Sequence, residues 1–196
     1  MLKNHEVTTE AIVIGRAQAG EGSVRVFLYT KSAGLVRALA TSAREERSKL
    51  RSHLQVGTYG TYNLVKGAHD WRVIGASDTQ NTYFFECRNA NGSFACARVL
   101  SVLRTLIHGE EPNDELFEAL WNFLKTYPML SEKEVVIAEH VVMVRILYAL
   151  GYVPDQTHIP SLKGSDYTPQ VMNELSAQKK ELVKFINEAL LASGLS

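Results

Sequence analysis

The residues best equipped for chemistry are the arginines and lysines between Arg37 and Arg51. The run RALATSAREERSKLR carries Arg37, Arg44, Arg47, Lys49 and Arg51 against Glu45 and Glu46, net +3 over 15 residues. Cationic ends presented along one track bind a polyanion backbone, because releasing condensed counterions supplies most of the non-specific affinity. Arginine adds two-pronged hydrogen bonding to phosphate, and Ser42 and Ser48 add neutral donors. Arg16 and Arg25 are secondary cations upstream. A solvated loop shows a similar charge run, so the run's position in the fold decides between the two readings. Reaction chemistry finds less support. Glu139-His140 and His108-Gly109-Glu110-Glu111 are close His/carboxylate pairs, and neither has the two His four apart that a zincin helix needs. There is no GxxxxGK[ST] phosphate loop, GxGxxG or GxSxG. Cys87 and Cys96 are too few for a four-cysteine zinc site or a disulfide framework, and read as reduced, partly buried thiols of a cytoplasmic protein. No catalytic residue, cofactor or metal is expected.

A net charge of zero over 196 residues at first argues against a nucleic-acid partner. Division of the chain changes this. Residues 1–80 hold 11 Lys+Arg and 7 Asp+Glu, a net +4, and residues 81–196 hold 10 and 14, a net −4. Two surfaces with different partners are implied. No apolar run approaches the ~20 residues of a membrane span, and the N-terminal MLKNHEVTTE has no apolar signal core.

The elements that must position the cations are short strands. Ala11–Gly15, Val24–Thr30, Leu35–Thr41, Thr58–Val65 and Trp71–Ala76 have strand composition or period-2 alternation and are separated by Gly-containing turns. The connection Ser42–Leu54 is too long for a hairpin turn. Five strands with a long insertion between the third and fourth match the oligonucleotide/oligosaccharide-binding (OB) barrel, which puts the basic run in that insertion. Phe27, Tyr29, Tyr59, Tyr62 and Trp71 lie on these strands; most are expected in the core, one or two as surface stacking platforms. From residue 80 the texture is helical. Helices are predicted over Phe94–His108, from Pro112-Asn113-Asp114 to Tyr127-Pro128, from the capping pair Ser131/Glu134 to Leu150 with Gly151 as C-terminal cap, and over Pro169–Ala192, with Val153–Thr168 as a loop. The expected class is α+β: an OB-type barrel over 1–79 and an all-helical, partner-binding domain over 80–196.

The segment Glu10–Gln55, with AIVIGR, GEGSVRVFLYT and GLVRALATSAREERSKLRSHLQ, resembles the N-terminal domain of the bacterial recombination mediator RecO. The family's order of an Ala-Ile-Val strand, a Gly-Glu turn, a Phe…Thr strand end, a Gly and a Gly-Ala-Arg…Ser-x-Leu element appears as Ala11–Val13, Gly20-Glu21, Phe27–Thr30, Gly34, Ser42-Ala43-Arg44 and Ser48–Leu50. Ser42 stands where the family usually has Gly. VRILYALGYVPD (Val144–Asp155) is similar to the family's helix ending in Gly-Tyr-x-Pro, and INEALLASGL to its closing helix. Many members have a four-cysteine zinc site after Gly-Tyr-x-Pro; Asp155–Ser165 contains no cysteine, so zinc is not expected. The resemblance implies an OB barrel that binds single- and double-stranded DNA and promotes annealing. It also implies a helical domain that binds RecR and the tail of single-stranded-DNA-binding protein, together loading the recombinase during DNA repair. The DNA-binding role falls on Arg37, Arg44, Arg47, Lys49 and Arg51, with Arg16 and Arg25 secondary. Arg98, Arg104 and Arg145, beside apolar helix faces, are the candidates for the tail site. The expected protein is thus a cytoplasmic, nucleoid-associated mediator without chemistry of its own. Its rivals are a protein-interaction adaptor, an RNA-binding OB protein and a metal-dependent nuclease.

Overall fold

The computed structural model describes residues 5–41, 43, 48–68, 70–81, 90–153, 159, 162, 164 and 166–194. Arg44 and Arg47, and with them Ser42 and Cys87, lie outside the described residues. By compactness the chain divides into two units: residues 1–85 with 100–112, and residues 86–99 with 113–196.

In the first unit, β1 (His5–Gln18), β2 (Val24–Thr30), β3 (Gly34–Ala40), β4 (Thr58–Lys66) and β5 (Trp71–Asn81) pair in the order β1-β2-β3-β5-β4, and β4 returns to β1 to close a barrel. Only the β3–β5 pairing is parallel. This is the OB connectivity expected from the strand count and the long third connection. β1 runs well beyond the expected Ala11–Gly15 because it serves two neighbours. His5–Ile12 pairs with β4 and Ala11–Gln18 with β2, so its polar first half is held by ladder bonds rather than by apolar alternation. A register shift between Val13 and Gly15 lets the strand bend where it changes partners.

Alternation fills the barrel: Val13, Val26, Leu28, Val36, Ala38, Leu64 and Val73 point inward with Tyr62 and Trp71. The long connection is not only loop. It contains a one-turn helix, α1 (Leu50–His53), and Ala43 and Leu54 on either side of it are fully buried in the barrel core. The Tyr62 hydroxyl donates to the His53 carbonyl at 2.6 Å, and burial pushes that phenol's pKa well up. The basic run is therefore anchored by its apolar residues. Gly34 needs to be glycine: its φ is +62°, and a Cβ there would meet the Glu111 carbonyl oxygen at 2.2 Å.

Glu110 ties the 100–112 stretch to the barrel. Its carboxylate accepts from the Lys66 ammonium at 2.6 Å and from the Trp71 indole N–H at 2.8 Å. The hydrogen bond from Lys66, then that from Trp71, hold the Glu110 carboxyl below its ordinary value. A depressed carboxylate stabilises the fold above its unfolded-state pKa, and the contribution is lost as pH falls through the folded value. Glu110→Gln is expected to cost under about 1 kcal/mol at pH 7, since the pair is half-exposed and screened. The deficit relative to wild type should shrink below about pH 4.3; urea midpoints at pH 7 and pH 3.5 check this, and an equal deficit at both values would exclude it.

The second unit is helical. Helix α2 (Ala90–Leu106) contributes its residues up to Val99 to this unit and those from Leu100 to the first. Then come α3 (Asp114–Thr126), a 3-10 turn (Tyr127–Met129), α4 (Glu132–Ala149), α5 (Pro169–Ala177) and α6 (Lys179–Ala192). The Ser131/Glu134 capping box forms as the sequence predicts, and Gly151, at φ +79°, caps the other end of α4. The predicted closing helix is two helices. At Gln178 the backbone leaves helical geometry (φ −102°, ψ 13°), and its carbonyl accepts from Glu181 and Leu182 to start α6. Ile159, Leu162 and Tyr167 are buried in the stretch read as a loop. Among the described residues no helix is long and apolar enough to cross a membrane, and no three His, Cys, Asp or Glu side chains cluster as metal ligands would.

Candidate nucleic-acid interface

Barrel register fixes which side chains share the outer face. Residues directly opposite in a ladder point the same way, so the outward positions form rows across β1, β2 and β3. The first row, Ile12–Tyr29–Leu35, is buried. The second, Gly15–Phe27–Arg37, holds a half-buried ring and an exposed guanidinium. The third continues onto β5 as Ala17–Arg25–Leu39–Arg72, with both arginines exposed. This face becomes cationic within two residues of its apolar row. Arg25 pairs loosely with Asp70 at 3.8 Å; among the described residues no carboxylate ion pair involves Arg37 or Arg72. Arg72 was not singled out by sequence, because a lone arginine after Trp71 forms no run. Its alternation with the inward Trp71 and Val73 was the available signal.

The remaining candidates sit at the barrel end. Arg16 donates to the Gln55 side-chain oxygen at 2.6 Å. Partial burial, then the nearby positive charge of Arg51, lowers the Arg16 pKa. Two neighbouring guanidiniums suit an anionic ligand. Lys49 and Arg51 are exposed, and Arg16, Ala17, Gln18 and Val24 line an open groove at the end of β1 and β2. Six of the described cations thus fall into two groups on one barrel, Arg25, Arg37 and Arg72 on the sheet and Arg16, Lys49 and Arg51 near its end. Of the five strand aromatics, Tyr29, Tyr62 and Trp71 are buried. Phe27 and Tyr59 are partly exposed, and Tyr59 donates to Glu10, which also pairs with Lys31 at 3.5 Å.

Residues 2–76 match the family model described as "Recombination protein O N terminal". Over these residues the barrel is similar to the RecO N-terminal domain. Similarity continues beyond the barrel. The chain is 28% identical over 156 residues to the "DNA repair protein RecO" of Dehalococcoides mccartyi (strain CBDB1), covering 79% of this chain and 60% of that protein. It is 29% identical over 150 residues to the protein of the same name from Thermodesulfovibrio yellowstonii, covering 76% and 58%. For that of Acetivibrio thermocellus the figures are 27% over 149 residues, 74% and 57%. The chain thus spans about three fifths of the length of the RecO relatives it matches.

The three arginines expected as candidates for a partner site sit in different surroundings. Arg98, on α2, makes a two-pronged ion pair with Glu139 of α4, Nε–Oε1 2.5 Å and Nη2–Oε2 2.6 Å, and that hydrogen bonding raises its pKa. Arg145, on α4, is 5% exposed. It donates to the carbonyls of Leu162 at 3.2 Å and Asp166 at 3.3 Å, and lines a small cavity of about 90 Å³ with Glu115, Glu118 and Tyr148. Arg104 belongs to the barrel unit.

Proposed function

We propose that this chain is a DNA-binding recombination mediator that acts in repair by charge and shape, without a reaction of its own. The observation that carries the proposal is the outer barrel face, where Phe27, Arg37, Arg25 and Arg72 occupy adjacent rows, together with the RecO match over the same residues. Shielding phosphate repulsion while leaving base edges free is what strand annealing requires, and guanidiniums on a sheet face with few base-edge donors meet that need. The relatives' name, DNA repair protein RecO, supports the reading. So does the split of charge between the halves, which leaves the helical unit to bind proteins; by resemblance these are RecR and the acidic-apolar tail of single-stranded-DNA-binding protein. A cytoplasmic, nucleoid-associated location follows from the same reading, as does the assignment of residues 1–79 to DNA and 80–196 to partners.

The test is fluorescence anisotropy with a labelled single strand over a salt series. Five neutralised phosphates give a slope of log affinity against log salt of about −3.5. Salt-independent or undetectable binding at 50 mM would remove the proposal and leave an adaptor. A matched RNA strand bound more tightly would move the ligand to RNA, since the 2′-hydroxyl is the generic difference available to a protein.

A further inference from the structure

Arg104 is carried by a helix outside the barrel, yet its guanidinium carbon lies 5.4 Å from the centroid of the Phe27 ring, while that of Arg37 lies 5.9 Å from the same ring. Gly15 makes this possible. A Cβ at position 15 would meet Cδ and Nη1 of Arg104 at 3.0 Å and the Phe27 ring at 3.4 Å; without one, the arginine lies along β1 beside Phe27, Gly15's partner in the ladder. The ring face attracts each cation, but the two like charges repel. Both arginines are exposed. Among the described residues no ion pair joins either arginine to a carboxylate, so no acid offsets the repulsion there. An anion does. The same row leads directly to Arg25 and Arg72, so a chain of anions fits better than a single one.

Resting on the DNA-binding reading, we propose that Arg37, Phe27 and Arg104 form a contact site for single-stranded DNA, and that Arg104 extends the barrel's interface onto α2. The two guanidiniums take successive backbone phosphates, and the half-exposed ring stacks on an unpaired base. Stacking on an aromatic ring needs a base whose face is open, which a duplex does not offer. This places Arg104 in the nucleic-acid interface instead of a partner-tail site.

The experiment measures binding of the full chain to a single strand and to a duplex of matched length, for wild type, Arg104→Ala, Phe27→Leu and Gly15→Ala, with unfolding midpoints as a check on each fold. Arg104→Ala is expected to weaken single-strand binding about fivefold at 0.1 M salt and to flatten the salt slope by about 0.7. Phe27→Leu is expected to lose about fivefold or more on the single strand, the lower end of a stacking contact, and to leave duplex binding within twofold. Gly15→Ala keeps every charge but displaces the Arg104 guanidinium, and is expected to shift affinity in the same direction as Arg104→Ala by a smaller factor. Wild-type affinity in Arg104→Ala overturns the site and leaves DNA binding standing. Equal losses on duplex and single strand in Phe27→Leu overturn the stacking role. No DNA binding by wild type brings down the parent reading itself.

Discussion

Reversing Arg37, Arg51 and Arg72 together to Glu is expected to lower affinity for a single strand by about a hundredfold or more at 0.1 M salt. Each lost phosphate contact is worth about fivefold there, and the slope becomes shallower by about 2 units; the new carboxylates add repulsion to those losses. The fold should survive. All three side chains are exposed, and among the described residues no ion pair of theirs is broken by the change. Surface substitutions away from special features usually shift stability by no more than about 0.5 kcal/mol. Circular dichroism and a urea midpoint matching wild type would show that the loss is electrostatic. Affinity within twofold of wild type at 50 mM salt would show that these groups are an ordinary solvated face. The companion triple Arg44→Glu, Arg47→Glu and Arg51→Glu asks the same question of the basic run between β3 and β4. A larger loss there would put the main phosphate track on that run instead of on the sheet face.

The barrel was legible in the sequence because its inward residues alternate. Val24, Val26 and Leu28, Tyr62 and Leu64, or Trp71 and Val73, are apolar at every second position with turns between the strands, and a closed five-stranded sheet satisfies that period. The first half of β1 was not legible. HEVTTE has no apolar alternation, and it is a strand because β4 offers it a ladder, a long-range effect that no local window contains. The same limit explains the break at Gln178, where apolar spacing runs through both closing helices and the turn is set by backbone geometry. For the candidate site, a cationic run could be found by composition, whereas a cationic face could not. Arg72 is isolated in sequence and joins Arg25 only through the β2–β3–β5 register. Arg104 was read as one of three equivalent arginines beside apolar helix faces. What separates the three is tertiary: one stacks on Phe27, one grips Glu139, and one is buried. Residue type and helical spacing are the same for all.

The buried one carries the second large effect. Arg145→Ala is expected to destabilise the helical unit by about 3 kcal/mol. The Arg145 guanidinium donates to the carbonyls of Leu162 and Asp166 and lies 4.9 Å from the centroid of the Tyr167 ring. It thereby ties α4 to the stretch before α5. Hydrogen bonds from a charged donor contribute about 1.5–3 kcal/mol each, and truncation also leaves a cavity that the surrounding helices fill only partly. Removing a charge from the interior offsets part of this, which is why the expected loss is well below the sum. Tyr167 lies tilted against Phe123 in turn, at 6.2 Å between centroids, and burial pushes its phenol up to about 12 against the opposing pull of Arg145. Loss of the arginine should therefore loosen Ile159, Leu162 and Tyr167 together. Hydrogen exchange reads this directly: faster exchange across the described part of residues 159–168 and the adjoining face of α4, with barrel amides and single-strand affinity unchanged. Arg145→Met separates the two contributions, since it restores much of the volume but none of the donors; recovery of wild-type stability in that variant would show that packing, not hydrogen bonding, holds the segment. If Arg145→Ala instead left stability intact and abolished binding of an acidic-apolar peptide, the residue would serve a partner after all. Its burial argues for the structural outcome, because a guanidinium committed to two carbonyls must break those bonds before it can reach a ligand.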